Sequence, residues 1–595
     1  MTKAVRVAVE SPLMQLDREF DFLVPRELDS AIKFGQRVSF RFGRTKAIQT
    51  GFVTELLESS KFATNPIDAL VSTDQVLTGE IFSFARRVAD RQCVALGEIL
   101  SAAIPDHMPR VQIERAPRSP TRKPPVATRQ ALLTGRQVEV EGAYYPQWMP
   151  AFLNRARAFL EQGMSSILLT PESADTSWLV RCAGAMGIDV LEWEASAKSE
   201  RFRKFNQSFE QSAIVVGTRS AIYAPVANLA FIAQADDCDD SYQEVGSPHT
   251  NLRDLVLIRA EVSSASVLFA APYRSIEVQR LVEIGYLTEL EEQGSLPRIS
   301  YSPSSVRVDD ASLKLAKESL TSGTLLVLLP RKGSSSSVFC QDCGERIKCA
   351  CGGYVWEPSE QLYTCRICAK VVTSCAMCKA TSFRRGRSGS TRTTAEIGKM
   401  FPGAVIFEAA GKKKPELTGK KNQILIATPG SAPRLDKGYS GLIVLDSEVW
   451  LSAQALRSEQ KALRDWCEAF ELLAPQARIH FSGLSEELGK PIALGQHREM
   501  AKQAYLEAKK LKLPPAVRFT KVSGTREQIT KVVATLGQNL DAVRNSGTEI
   551  LFRYSYKDGP KIARELRAIA TTAKALKRGD KNVRGLSVIV DDGSI

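Results

Sequence analysis

The sequence predicts a multidomain α/β protein: a small β-rich N-terminal domain, two lobes built on parallel sheets, a double zinc-binding module inserted in the second lobe, and an α+β C-terminal domain. Three observations carry this. Short apolar runs recur between helical stretches from Ser165 to Gly483, eight of the 12 cysteines fall between Cys340 and Cys378, and the segment Ala501–Ile595 holds 19 Lys and Arg against 9 Asp and Glu. A chain of 595 residues also exceeds what one core can organise, since single cores stop growing at roughly 250–300 residues.

Residues 1–106 are expected as one unit. VRVAV (Val5–Val9), FDFLV (Phe20–Val24), RVSFRFG (Arg37–Gly43) and GFVTEL (Gly51–Leu56) alternate apolar and polar positions between Pro12, Pro25, Gly35 and Gly43, a pattern of period two that belongs to strands. Ile81–Ile104 then has helical spacing and should pack on them. Residues 107–129 follow as a proline- and arginine-rich linker whose arginines could reach phosphates.

Residues 130–305 form the first expected lobe, with SSILLTPE (Ser165–Glu172), AIVVGT (Ala213–Thr218), LAFIAQAD (Leu229–Asp236) and ASVLFAAP (Ala265–Pro272) as strands. Residues 306–500 form the second, with TLLVLLP (Thr324–Pro330), AVIFEAA (Ala404–Ala410), QILIATPG (Gln423–Gly430), GLIVLDSE (Gly441–Glu448) and ARIHFSG (Ala477–Gly483). Near-continuous apolar strands alternating with helices read as parallel sheets covered on both faces. Residues 501–595 read as a separate basic domain. The whole chain carries +14, and most of that excess sits here, so a polyanion is the expected partner.

Within the module (340–380) the cysteines read Cys340-x-x-Cys343, Cys349-x-Cys351, Cys365-x-x-Cys368 and Cys375-x-x-Cys378. Two thiolates on a tight turn clasp one side of a tetrahedral zinc and a second pair closes it, so eight ligands give two closed sites. Cys340, Cys343, Cys375 and Cys378 are assigned to one ion and Cys349, Cys351, Cys365 and Cys368 to the other. Closed four-sulfur sites leave no open position for chemistry, so both zincs are structural. Disulfides would need an oxidising compartment, and neither a signal peptide nor a run of ~18 apolar residues is present. A soluble cytoplasmic protein without membrane association is expected. Cys93, Cys182, Cys238 and Cys467 read as buried small residues. His107, His249, His480 and His497 show no metal or triad spacing.

Two α/β lobes with a double zinc module in the second resemble the PriA family of replication-restart helicases. VVGTRSAIYAPVANLAFI (Val215–Ile232) is similar to that family's GTRSA segment ahead of its DEEH box, and the cysteine module opens after PRKG (Pro330–Gly333) as the family's does. FDFLVP, the glycine of RFGR and ILIATPG fall where similar segments would. The resemblance implies two helicase-like lobes. It also implies an N-terminal pocket for the 3′ end of a nascent strand, with Phe20, Asp21 and Gly43 at its signature positions.

The sequence departs from that family where nucleotide chemistry resides. A phosphate loop needs backbone N–H groups, a lysine for the β- and γ-phosphates and a Ser or Thr for magnesium. At that place the chain reads ALLTGRQVEVEGAYYPQW (Ala131–Trp148), without Gly-Lys-Thr or Gly-Lys-Ser. DEEH has become Ala235-Asp236-Asp237-Cys238, and LLAPQARIHFS (Leu472–Ser482) replaces an arginine-bearing box. Each loss removes an electrostatic contribution on the order of several kcal/mol from phosphoryl transfer. ATP is therefore not an expected cofactor, and Asp236, Asp237, Asp239 and Asp240 read as a remnant loop.

The expected function is that of a DNA-binding restart factor without helicase activity of its own. It would recognise a stalled or abandoned fork, recruit primosome and helicase-loading proteins, and work alongside single-stranded-DNA-binding protein. An active 3′–5′ DNA helicase with divergent motifs and a non-enzymatic interaction scaffold are the alternatives.

Overall fold

The computed structural model describes residues 3–591 except 43–46, 112, 114, 136, 291–297, 304–305, 331–337, 344, 346, 360, 366–367, 386–389, 412–414, 452–456, 538–539, 574–575, 579–580 and 584. Gly43 therefore lies outside the described residues. No helix among the described residues is long and apolar enough to cross a membrane.

The alternating N-terminal runs form β1 (Ala4–Val9), β2 (Glu19–Leu23), β3 (Gln36–Phe42), β4 (Ala47–Leu57) and β5 (Ile67–Gln75), an antiparallel sheet in the order β2-β1-β4-β3-β5. Its period-two pattern buries Val5, Val7, Phe22, Phe40 and Val53 together. The rings of Phe22 and Phe40 lie 4.3 Å apart. Helices α1 (Gly79–Gln92) and α2 (Leu96–Ala103) cover Ala8 and Phe52. Thr78 starts α1 by accepting from the Ile81 N–H. Gly97 must be glycine for space: a Cβ there would lie 2.1 Å from the Val9 carbonyl oxygen.

The proline- and arginine-rich segment is strapped to the first lobe by hydrogen bonds. Gln211 donates to the Ala116 and Pro117 carbonyls at 3.2 and 2.9 Å, and Asn228 donates to the Pro120 carbonyl at 2.8 Å. The Arg115 guanidinium donates to Asn206 Oδ1 at 2.8 Å and lies 4.2 Å over the Phe209 ring. Polar side chains of the lobe supply the partners that the segment's own sequence lacks.

The first lobe comprises β6 (Arg129–Leu133), β7 (Gln137–Val140), β8 (Ala143–Pro146), α3 (Trp148–Leu160), β9 (Ser165–Leu169), α4 (Ser173–Ala185), β10 (Leu191–Glu192), α5 (Lys198–Ser208), β11 (Ile214–Gly217), β12 (Leu229–Ala235), α6 (Leu252–Ser263), β13 (Ser266–Ala271), α7 (Ile276–Glu283) and β14 (Thr288–Glu289). Seven strands make a parallel sheet ordered β10-β11-β9-β12-β13-β6-β14, while β7 and β8 form a separate hairpin.

The second lobe holds β15 (Arg298–Ser302), α8 (Asp310–Ser322), β16 (Thr324–Leu328), then the module strands β17 (Val338–Cys340), β18 (Val355–Ser359), β19 (Leu362–Cys365) and β20 (Phe383–Arg385). It continues with α9 (Ser390–Met400), β21 (Val405–Ala409), β22 (Gln423–Ala427), β23 (Tyr439–Val444), α10 (Ser447–Leu451), α11 (Ser458–Phe470), β24 (Leu473–Ser482), α12 (Glu486–Ala493) and α13 (His497–Leu511). Its parallel sheet runs β15-β24-β23-β16-β22-β21. His480 is fully buried, with Nδ1 hydrogen-bonded to the Ser300 hydroxyl at 2.9 Å and Nε2 to the Asp309 carboxylate at 3.1 Å. Asp309 also caps α8. Long-range packing thus supplies an Asp and a Ser that histidine spacing could not reveal, and the network holds a helix start.

α13 straddles the 500/501 boundary and is tied to the first lobe, Arg498 donating to the Leu290 carbonyl at 3.2 Å. Beyond it, β25 (Arg518–Ser523), α14 (Arg526–Leu536), β26 (Asp541–Asn545), β27 (Glu549–Tyr554), α15 (Gly559–Thr572), β28 (Leu576–Arg578), β29 (Lys581–Val583) and β30 (Ser587–Val590) complete the chain. β26-β27-β25-β30 form an antiparallel sheet backed by α14 and α15. Its core continues into the N-terminal unit, where Met14, Cys93 and Ala95 pack among Val522, Ile562 and Leu566.

Candidate functional site

In the cysteine module, each paired-cysteine turn is closed by backbone bonds. The Cys340 N–H donates to Glu345, Cys349 to Gly353, Cys365 to Lys370 and Cys375 to Ala380, each at 2.8 Å. Gly352, Ala369 and Lys379, next to Cys351, Cys368 and Cys378, take left-handed φ values of 84°, 56° and 65° that turn the chain back. The sulfurs of Cys340, Cys343, Cys375 and Cys378 converge within 4.8 Å of one another, and those of Cys349, Cys351, Cys365 and Cys368 do likewise. Cys340 Sγ lies 3.4 Å from Cys378 Sγ, Cys343 3.8 Å from Cys375, Cys349 3.6 Å from Cys368, and Cys351 3.4 Å from Cys365. A tetrahedral ion with metal–sulfur bonds of ~2.3 Å needs sulfur–sulfur edges of about 3.8 Å, whereas a disulfide needs about 2.05 Å. The donor sets therefore fit a thiophilic divalent ion. The module's apolar support is slight, essentially Val338, Ile347, Val355 and Phe383, so a bound ion would add much of its stability.

On the N-terminal sheet, Phe20 and Asp21 are consecutive on β2, opposite Val7 and Arg6 of β1. Asp21 Oδ1 accepts from Arg6 Nε at 3.1 Å and Oδ2 from the Ser60 hydroxyl at 2.6 Å. The Arg18 guanidinium lies 4.6 Å over the Phe20 ring. Ser60 leads directly into Lys61 and Phe62, whose ring is 71% exposed with the Lys61 ammonium 5.1 Å away. The Asp21 carboxylate is thus anchored and largely buried, while Lys61 and Phe62 present a cation and an open aromatic face, groups of the kind that meet a phosphate and a base. Arg6, Ser60 and Phe62 carry no motif of their own, and only strand register and loop return place them here.

Between the lobes, the segment after β6 that would cradle phosphates becomes the β7–β8 hairpin. Thr134 donates its hydroxyl to Glu471 Oε1 at 3.0 Å, and the Trp148 indole donates to Oε2 at 3.2 Å. Glu471, at the end of α11, is 3% exposed, and burial pushes its carboxyl up to about 7. Asp236, at the end of β12, accepts from Arg464 Nε at 2.9 Å, and Asp239 pairs with the same guanidinium. Asp237 accepts from Arg253 at 2.9 Å and from the Ser275 hydroxyl at 2.8 Å. Burial acts to raise Asp236 and Asp237, against their arginines. The neighbouring cleft holds a cavity of about 170 Å³ lined by Glu172, Asp175, Asp465, Glu468 and Arg434, in which Arg434 pairs with Asp175 while Asp465 and Glu468 pair with Arg464.

An antiparallel N-terminal domain, two helicase-like lobes on parallel sheets and an inserted cysteine module define a class, that of multidomain α/β proteins with a paired-lobe frame. Residues 6–105 match the PriA 3′ DNA-binding domain (3′BD). More particularly, the chain is similar over most of its length to proteins described as replication restart protein PriA. It is 29% identical over 506 residues to the probable replication restart protein PriA of Mycobacterium tuberculosis, covering 78% of this chain and 77% of that one. It is 26% identical over 574 residues to the Mycobacterium leprae protein of that name, covering 87% of each. The Bacillus subtilis replication restart protein PriA is 25% identical over 348 residues, covering 53% of this chain and 43% of that protein. Among solved structures, RecG bound to a three-way DNA junction aligns with 12% identity over 65% of this chain and 44% of that one, at a TM-score of 0.34, too loosely to bear on function.

Proposed function

We propose that this chain is a replication restart protein that binds stalled or abandoned forks, promotes primosome assembly and reloading of the replicative helicase, and does not unwind DNA itself. The observation that carries the reading is the 3′ DNA-binding domain match over residues 6–105, in a chain similar over most of its length to restart proteins. Phe20, Asp21 and Gly43 would receive the 3′ end of a nascent strand, assisted by Arg6 and Ser60. The basic segment 501–595 would hold duplex or single-stranded phosphates. The two sulfur clusters would each hold one structural zinc. Helicase-loading proteins and single-stranded-DNA-binding protein are the proposed protein partners, and the cytoplasm the place of action.

Loss of helicase chemistry is supported by the cleft's electrostatics. Asp236 and Asp239 are both paired with Arg464, which occupies the carboxylates that a magnesium ion would otherwise need. The test is ATP turnover and strand displacement on forked DNA at saturating protein. Binding without either activity is expected, while magnesium-dependent turnover stimulated by DNA would make the protein a helicase.

A further inference from the structure

Helicase lobes that burn nucleotide must open and close around it, so what spans the cleft here decides whether they can move. Contacts bridge it at three levels. At the former phosphate loop, the Glu471 carboxylate of the second lobe takes hydrogen bonds from Thr134 and Trp148 of the first, and the Gln137 amide donates to the Glu471 carbonyl. Beside the former magnesium site, Arg464 of α11 pairs with Asp236 and Asp239, Lys461 pairs with Asp240, and Arg457 pairs with Glu277. At the outer rim, the Tyr144 N–H of the hairpin donates to the Asp436 carbonyl at 2.7 Å, Arg181 donates to the Asp436 carboxylate at 2.6 Å, and Arg434 donates to Asp175 at 3.0 Å.

Arg464 and Asp236 are 5% and 7% exposed, respectively, so separating the lobes would leave buried charges without partners. We infer that Glu471 acts as an internal ligand in the position of a nucleotide phosphate, and with Arg464 locks the two lobes in one fixed orientation, an autoinhibitory contact made permanent. The inference deepens the proposed loss of helicase chemistry and is independent of which DNA the protein selects. It makes the lobes a rigid spacer between the 3′-end domain and the cysteine module.

Interlobe distance distributions in the full chain test this, with probes introduced as unnatural amino acids at the exposed positions Ser177 and Lys421 so that the cysteines stay untouched. The wild-type protein should give one narrow distribution, unchanged by magnesium-ATP or by forked DNA. The Glu471→Ala, Arg464→Ala double variant should lose it and give a broad one. A shift of the wild-type distribution with ATP would overturn both the lock and the non-helicase reading. A shift with forked DNA but not with ATP would overturn the lock alone. These wild-type outcomes decide the matter even where the variant fails to fold, and a narrow distribution in a folded double variant would also contradict the lock.

Discussion

At Glu471, burial opposes the hydrogen bonds that favour its charged form, and burial prevails, holding the carboxyl at about 7 against an ordinary 4.5. The folded protein therefore retains a proton that the unfolded chain releases. The resulting contribution is fully present below about 4.5 and is lost as pH rises through about 7. Urea midpoints measured from pH 5 to 8 should show the Glu471→Gln variant gaining relative to the wild type as pH rises, because only the wild type loses this contribution. Steric demand is as local at Gly97, where Gly97→Ala would drive a methyl into the Val9 carbonyl and should cost ~1–3 kcal/mol in the same assay. At this scale the sequence reveals residues that sit in a motif and hides those that arrive from afar. Phe20 and Asp21 are legible within FDFLVP. Arg6 and Ser60, which hold Asp21, lie 15 and 39 positions away and are joined to it only by strand register and a returning loop.

Among elements, the cysteine module is the most legible, because four short spacings fix four turns and the turns fix which sulfurs meet. Its expected behaviour follows from its small core. Cys349→Ser should lower zinc content from two ions to one per chain by elemental analysis, and chelation of both should make residues 338–385 the first site of proteolysis. The parallel strands are legible for a different reason, since runs such as Ile167–Leu169 and Ile424–Ala427 are buried on both faces and must be apolar throughout. The β7–β8 hairpin is not legible in this way. QVEV is short and half-exposed, AYYP is short though mostly buried, and both lie close to a missing motif, so the absent phosphate loop is evident in sequence whereas its replacement is not. The strap before β6 escapes for the same reason, because its partners Asn206, Gln211 and Asn228 lie some 90 to 108 positions away.

Across the whole molecule, the two ends of the chain share one core. Arg567 of α15 pairs with Asp17 and donates to the Ala89 and Val94 carbonyls at 2.8 and 2.9 Å, and Arg91 of α1 pairs with Asp591 at 2.9 Å. The basic C-terminal unit is thus built onto the 3′-end domain, an arrangement that no local pattern encodes. Truncation after Lys512 should uncover Met14, Cys93 and Ala95 and lower the melting temperature of the remaining chain by several degrees, as roughly 25 cal/mol per Å² of newly exposed apolar surface implies. Under the proposed function, this shared core and the proposed lobe lock would make the protein a rigid reader of fork geometry, and the central question is what is read. The most direct measurement compares affinity for a fork whose nascent leading strand ends in a free 3′-hydroxyl with affinity for the same fork blocked at that end, at fixed salt. The account predicts tighter binding to the free end in the wild-type protein and equal binding of the two forks by Asp21→Ala; equal affinities in the wild type, or a preference that survives Asp21→Ala, would contradict it.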